Sequence, residues 1–354
     1  MAVLSEEQTM LRDMAREWAD NESPVTALRA LRNSGSITGY DPAAWSALGE
    51  MGLAGIVIPE EFGGTAFGYL SLGLVLEQLG RTLTASPLAA TAAAASAIVL
   101  GASDAQKQAW LPRIATGEVV AALAIDEGPN HNPTAIKTIV SGGKLTGAKD
   151  FVAEGDSAGV FVVAATDGLY LVDGAAPGVT RSPRRMVDAR SHAKVTFDGA
   201  AAEKLSVAAQ PIIDRAAAAV CAEMLGLATQ AFETTNDYLK TRVQFGQKLS
   251  TFQALQHRMA KMLTELELMR SVVEGALEAI DANRSDVDQA VSLAKAVAGD
   301  TLKLVSREMI QLHGGIGMTD EHDAGLYLKR AAVLEPMYGN AAYHRDRFAR
   351  LNGY

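Results

Sequence analysis

The chain predicts an α+β protein of more than one domain, on three observations. Helical periodicity fills residues 1–118, a cluster of short β-type runs follows over 119–207, and long amphipathic helical segments fill 208–354. The domains expected are therefore an N-terminal helical domain (1–118), a middle β domain (119–207) and a C-terminal helical bundle (208–354). At 354 residues the chain exceeds the size at which a single core stops growing. A hydrophobic content of 48% with only 6% aromatics and abundant Ala favours close-packed helices.

In order, Leu4, Leu11, Met14 and Trp18 recur at helical spacings, and Ser5 with Glu6 and Glu7 makes an N-terminal cap. Residues 33–42 form a Gly/Ser/Asp/Pro linker. A short helix over 45–53 leaves through Met51-Gly52. GIVIPEEFGG then reads as an apolar segment and a turn, and helices are expected over 69–83 and 87–101. Asp104 caps a further helix ending near Pro112. The β-type runs are 119–125, 159–166, 169–172 and the alternating KVTF at 194–197, parted by Gly, Pro, Asp and Asn turns, which predicts a mostly antiparallel sheet. Helices resume over 211–241, 250–281, 286–312, 319–333 and 339–351.

The formal net charge of −9 weighs against non-specific nucleic-acid binding. The N-terminus is amphipathic and acidic, without the basic start and apolar core of a signal peptide. The longest apolar stretch, near 88–100, is mostly Ala and too short to span a bilayer, so no membrane association is expected. The single cysteine, Cys221, sits in an apolar run as a small buried hydrophobe, consistent with a reducing cytoplasm. Six scattered histidines show no metal-ligand spacing, and no nucleophile elbow, CxxC, P-loop or dinucleotide fingerprint is present.

Chemistry in excess of packing lies in Asn236–Met262. Phe252, Leu255, Met259, Met262, Leu263 and Leu266 predict one buried stripe on a long helix. The turn before it, Phe245-Gly246, carries Arg242, Gln247 and Gln253 as well as the Phe. A helix corner needs the Gly but neither the Arg nor the Phe. Arg242 suits a phosphate, since its planar fork can hold two oxygens, although pairing with Asp237 would also satisfy it. In QLHGGIGM (311–318) the paired glycines fit a helix C-cap or a close backbone approach to a ligand. Asp320, Glu321 and Asp323 suit the first turn of the next helix.

Together these stretches resemble the acyl-CoA dehydrogenase family along nearly the whole chain. The resemblance rests on LGEMGLAGIVIPEEFGG (48–64), LEQLGR (76–81), DAQKQAWLPRIATGE (104–118), DARSHAKVTFDGA (188–200), RVQFGQKLSTFQALQHRMAKM (242–262) and QLHGGIGMTDEHDAGLYLKR (311–330), six segments in the family's order. It implies an N-terminal helical domain, a middle β-barrel-like domain and a C-terminal four-helix bundle. It further implies a tetramer, FAD at a subunit boundary, an acyl-CoA substrate oxidised to the α,β-enoyl-CoA, and an electron-transfer flavoprotein as acceptor. The chemistry requires a carboxylate at the substrate α carbon and donors that polarise the thioester carbonyl.

The family's contacts across the boundary to a neighbour's FAD map onto Arg242, Phe245, Gln253, Gln311, Gly314 and Gly315, all present. The flavin-ring contacts of the β domain depart from the family. Asp126-Glu127-Gly128 stands where relatives have Thr-Glu-Pro, and Phe151-Val152-Ala153-Glu154 where they have Trp-Ile-Thr-Asn. The base departs too: Tyr338 and Val243 occupy the two positions from which family members present it. Glu335, three residues upstream of Tyr338, is a candidate displaced base.

Three functional readings follow. The chain is the subunit without a base in a hetero-oligomeric acyl-CoA dehydrogenase, lending its half-site to a paralogous chain that carries the glutamate; such pairs serve bulky substrates such as sterol side-chain CoA esters. Alternatively it is a self-sufficient homo-oligomer with a relocated base, or a CoA-ester or flavin-binding relative that has left redox chemistry or performs another reaction such as hydration.

Overall fold

The computed structural model describes residues 3–354. Six helices come first: α1 (Glu6–Glu22), α2 (Val25–Ser34), α3 (Pro42–Glu50), α4 (Gly68–Arg81), α5 (Leu88–Gly101) and α6 (Asp104–Ala115). Side chains define their starts. Ser5 Oγ accepts the Gln8 N–H while the Gln8 side chain accepts the Ser5 N–H, a reciprocal cap that Ser103 and Gln106 repeat on α6. Ser103, not Asp104, is thus the cap of α6, and that helix runs through Pro112 to Ala115. Asp41 caps α3 ahead of Pro42 at its first position.

Eight strands follow: β1 (Ala121–Ala124), β2 (Ile139–Ser141), β3 (Lys144–Ala153), β4 (Val160–Ala165), β5 (Gly168–Asp173), β6 (Val179–Pro183), β7 (His192–Ala201) and β8 (Glu203–Lys204). They form two four-stranded sheets, ordered β1-β4-β5-β8 and β2-β3-β7-β6. Only β1–β4 is parallel; the remaining pairs within these two sheets are antiparallel. Every residue of β4 is buried, which is why VFVVAA reads as a continuous apolar run rather than an alternation. The sheet core gathers Phe161, Val163, Val172, Val195 and Phe197, with the two Phe rings edge to face at 6.0 Å. β2, β3 and β6 were not expected from the sequence. They are short, polar or mostly exposed, and two register shifts break the alternation of β3.

The C-terminal part comprises α7 (Ala209–Thr241), the hairpin strands β9 (Val243–Gln244) and β10 (Gln247–Lys248), α8 (Gln253–Asp281), α9 (Val287–His313), α10 (Ala324–Leu334) and α11 (Ala341–Leu351). α9 packs against α8, α10 and α11. The buried stripe of α8 runs Met259, Met262, Leu266, Met269 and Val273 at spacings of three and four. Leu263, expected in that stripe, is 46% exposed because it falls one position off the face. Asp320, Glu321 and Asp323 precede α10 rather than forming its first turn. Arg330 on α10 holds Glu223 on α7 through two bonds of 2.8 and 3.0 Å, both side chains only 7% exposed, and Arg270 reaches Glu77 at 2.7 Å.

By their contacts the described residues form two compact units. One comprises Ala27–Leu72 and Ala85–Ala219 and contains the sheets. The other comprises the chain up to Thr26, Gly73–Thr84 and Val220–Tyr354, and contains α8 to α11. Among the described residues no helix is long and apolar enough to cross a membrane, and no group of three or more His, Cys, Asp or Glu side chains could hold a metal ion.

Candidate functional site

The turn after α7 is a two-residue β-hairpin rather than a bare helix corner. Gln244 pairs with Gln247 and Val243 with Lys248, leaving Phe245 and Gly246 at the tip with φ of +55° and +79°. Positive φ at both tip residues is a type I′ turn, which ordinarily takes Asn-Gly. A bulky residue in that conformation is strained, and Phe245 is also 88% exposed. Its ring meets Phe252 edge to face at 6.0 Å. Arg242 is exposed, and among the described residues no ion pair or side-chain hydrogen bond engages it. Asp237 lies instead 3.9 Å from Lys240. Gln253 is the first residue of α8, exposed, at a helix N-terminus that has no side-chain cap. An unpaired guanidinium and uncapped helix N–H groups favour an anion.

The second stretch lies at the end of α9. Gly314 has φ +64° and ψ −139°, a conformation essentially confined to glycine. Gly315 has no such need, and a Cβ there would meet open space, so nothing among the described residues requires glycine at that position. Gln311 is exposed. The two stretches are drawn together by Tyr238 and His313, whose rings stack at 4.3 Å while the Tyr238 hydroxyl donates to the His313 carbonyl at 3.3 Å. His313 Nδ1 lies 2.7 Å from the Met309 carbonyl. Burial pushes the imidazole below its ordinary range against that bond, and His322 at 4.4 Å adds to the effect. The sequence marked His313 only as one scattered histidine; its place between Gln311 and Gly314 was the available signal.

The segment bearing Tyr338 is held from several sides. Lys295 of α9, fully buried, donates to the carbonyls of Glu335 and Gly339 at 2.7 and 2.8 Å. His344 Nε2 lies 2.8 Å from the Tyr338 carbonyl, and Asn340 caps α11. Tyr338 itself is buried and has φ +54°. Burial pushes Lys295 down to about 8 and Cys221 up to about 12. A lysine inside the small-residue run SLAKAVAG is the anomaly that could have flagged this clamp from sequence. Glu335 accepts the Ala341 N–H at 3.4 Å and lies 3.7 Å from Lys303. Val243 is 53% exposed on the hairpin.

The β-domain segments form internal networks. The Asp126 carboxylate lies 3.0 Å from His131 Nδ1 and accepts the Asn132 N–H at 3.1 Å. Glu127 accepts from Lys137 N, Thr138 N, Thr138 Oγ1 and Lys149 Nζ at 2.6 to 2.9 Å. Burial opposes its ionisation, yet these donors, Lys149 first, hold it at about 2. Phe151 and Glu154 have φ of +52° and +58°; Phe151 is 40% exposed with Arg184 above its ring, whereas Glu154 is buried.

Residues 5–118 match the acyl-CoA dehydrogenase N-terminal domain and residues 205–351 the acyl-CoA dehydrogenase C-terminal domain. Acyl-CoA dehydrogenase IpdE2 of Mycobacterium tuberculosis is 34% identical, over 92% of this chain and 91% of its own. A solved steroid acyl-CoA dehydrogenase, the Tcur3481-Tcur3483 G363A variant, is 31% identical with a TM-score of 0.92, covering 98% of each chain. The ChsE4-ChsE5 complex of Mycobacterium tuberculosis shares the fold, with a TM-score of 0.92 at 24% identity over the whole of both chains. The helical, sheet and helical parts expected from the sequence are those of this fold. The chain belongs to the acyl-CoA dehydrogenase family, flavin oxidoreductases that use FAD and act on acyl-CoA thioesters.

Proposed function

We propose that this chain is the subunit without a base in a hetero-oligomeric acyl-CoA dehydrogenase, completing a FAD site on a paralogous chain that carries the glutamate. The observation that carries the reading is the hairpin tip: an exposed, strained Phe245 beside an Arg242 whose side chain no described residue engages. Strain and exposure together are retained where something outside the chain uses them.

The half-site residues fit the group. Arg242 would hold pyrophosphate oxygens, Phe245 would pack on the cofactor, and Gln253 and Gln311 would offer amides. Gly314 and Gly315 would admit close backbone approach, in keeping with the open space at Gly315. When bound, FAD supplies the acceptor for the hydride leaving the substrate β carbon. The β-domain segments of this chain do not fit the flavin ring. Asp126 is engaged by His131 and Asn132, Glu127 already accepts four bonds, Ala153 has no hydroxyl, and Glu154 is a buried acid.

No carboxylate stands at either family base position, since these hold Val243 and Tyr338. Glu335 is engaged by the Ala341 N–H and lies near Lys303, which supports a structural role rather than that of a displaced base. The similar solved structure is a Tcur3481-Tcur3483 steroid acyl-CoA dehydrogenase, which supports both the pairing and a bulky acyl group such as a sterol side chain. The remaining parts of the reading are a tetramer, a cytoplasmic location, electron-transfer flavoprotein as acceptor, and domains of 1–118, 119–207 and 208–354.

The test is expression alone and with a co-encoded acyl-CoA dehydrogenase chain that carries the glutamate. The chain alone should be colourless, and the complex should hold half the flavin expected for its chain count. Arg242→Ala should release that flavin, whereas Tyr338→Phe should leave the rate nearly unchanged. A yellow, stoichiometrically flavinated homo-oligomer that reduces a dye with acyl-CoA would sink the reading.

A further inference from the structure

The unit that contains the sheets holds a cavity of about 560 Å³ between the loop ending α2 and the loop joining β6 to β7. Its size is that of a small-molecule site. The loops meet where Gly39 lies against Ser191: a Cβ on residue 39, at φ +67°, would fall 2.3 Å from the Ser191 nitrogen. That contact forms a floor which only glycine permits.

The lining is basic in a chain of net charge −9. Arg32, Arg184, Arg185 and Arg190 face a single lining carboxylate, Asp156. Three of these cations are already engaged. Arg184 holds Asp150 through bonds of 2.8 and 2.9 Å, Arg190 donates to the Ser86 carbonyl at 2.9 Å, and Arg32 donates to Asn33 at 3.1 Å. Arg185 is exposed, with no ion pair or side-chain hydrogen bond among the described residues. Ser191 is 4% exposed, and its Oγ is buried without a hydrogen-bond partner. A buried hydroxyl without a partner is uncommon and costs stability unless something completes it. Burial pushes the Asp156 carboxyl up, with Arg181 opposing, which weakens the one negative group in the lining. At the rim Ile37 and Val187 are 73% and 64% exposed.

The geometry points to a binding site for an organic anion, a phosphate or carboxylate on an apolar body. Arg185 and the Ser191 hydroxyl take the charge, and Ile37 and Val187 cover the body. Arginine suits both anions because its fork binds two oxygens at once. The site shares no residue with the hairpin or the Gly314 turn and stands independently of the reading of those.

The test is calorimetric titration of the purified full-length chain with phenyl phosphate, octanoate and inorganic phosphate. One or both organic anions should saturate with Kd below about 1 mM and bind more tightly than inorganic phosphate. Phenyl phosphate alone would assign a phosphate ligand, and octanoate alone a carboxylate. Arg185→Ala, an exposed change that leaves folding intact, should weaken binding about tenfold or more, and Ser191→Ala should weaken it further. Failure of both organic anions to bind, no preference over inorganic phosphate, or indifference to Arg185→Ala would each overturn the assignment.

Discussion

Replacing Phe245 with Asn separates what the hairpin does for the fold from what it does for a partner. A non-glycine residue in the left-handed region costs about 1–2 kcal/mol, and Asn, which type I′ turns accept, bears less of that strain. Opposing this is the edge contact with Phe252, of a kind worth about 0.5–1.5 kcal/mol when buried and less for a ring 88% exposed. Phe245→Asn should therefore leave the stability of the isolated chain within about 1 kcal/mol of the parent, in either direction. Covering a Phe side chain in an assembly stabilises it by roughly 1.5–3 kcal/mol, and 2 kcal/mol corresponds to about thirtyfold in affinity. Denaturant unfolding of the chain alone and flavin retention in the co-expressed complex measure the two quantities. A destabilised chain with undiminished flavin retention would show that Phe245 serves only local packing.

Three further outcomes follow from the same geometry. Glu127, held at about 2 against an ordinary 4.5, contributes stability that is full above pH ~4.5 and lost as pH falls toward 2. Glu127→Gln should flatten that part of the acid-unfolding curve. Arg330→Met strands the buried Glu223 carboxylate and should cost about 3–5 kcal/mol by denaturant unfolding, most of it recovered when Glu223→Leu is added. Gly39→Ala places a Cβ 2.3 Å from the Ser191 backbone at a positive φ, and should cost about 2 kcal/mol or more by calorimetry.

The fold was legible where one face of an element is buried and the chain repeats. α8 announces itself by Met259, Met262 and Leu266, and β4 by a short β-branched apolar run that fits a strand covered on both faces. β3 was not legible, because two register shifts against β7, a partner about fifty residues along the chain, break its alternation. The site was half legible. Arg242 and Phe245 stood out because no helix corner needs them. The type I′ geometry was hidden because Phe is a poor residue for it, and a local rule broken in this way is itself a mark of function. The clamp from Lys295 to Glu335 and Gly339 joins segments about forty residues apart, so the lysine in its small-residue run marks one end of it and no local pattern shows the other.

The clamp also bears on how such a chain can change course. Lys295, His344 and Asn340 fix the backbone around Tyr338 through main-chain carbonyls and one helix cap, and these bonds do not depend on the side chain at 338. A carboxylate introduced by Tyr338→Glu would arrive on a support already built. The segment at 126–127 has no such freedom, because its carboxylates are themselves the bonds that hold it. On the function proposed above, the two departures from the family would therefore differ in reversibility. The position of the base would lie one substitution away, whereas a flavin-ring cradle would require a network of side chains to be dismantled first.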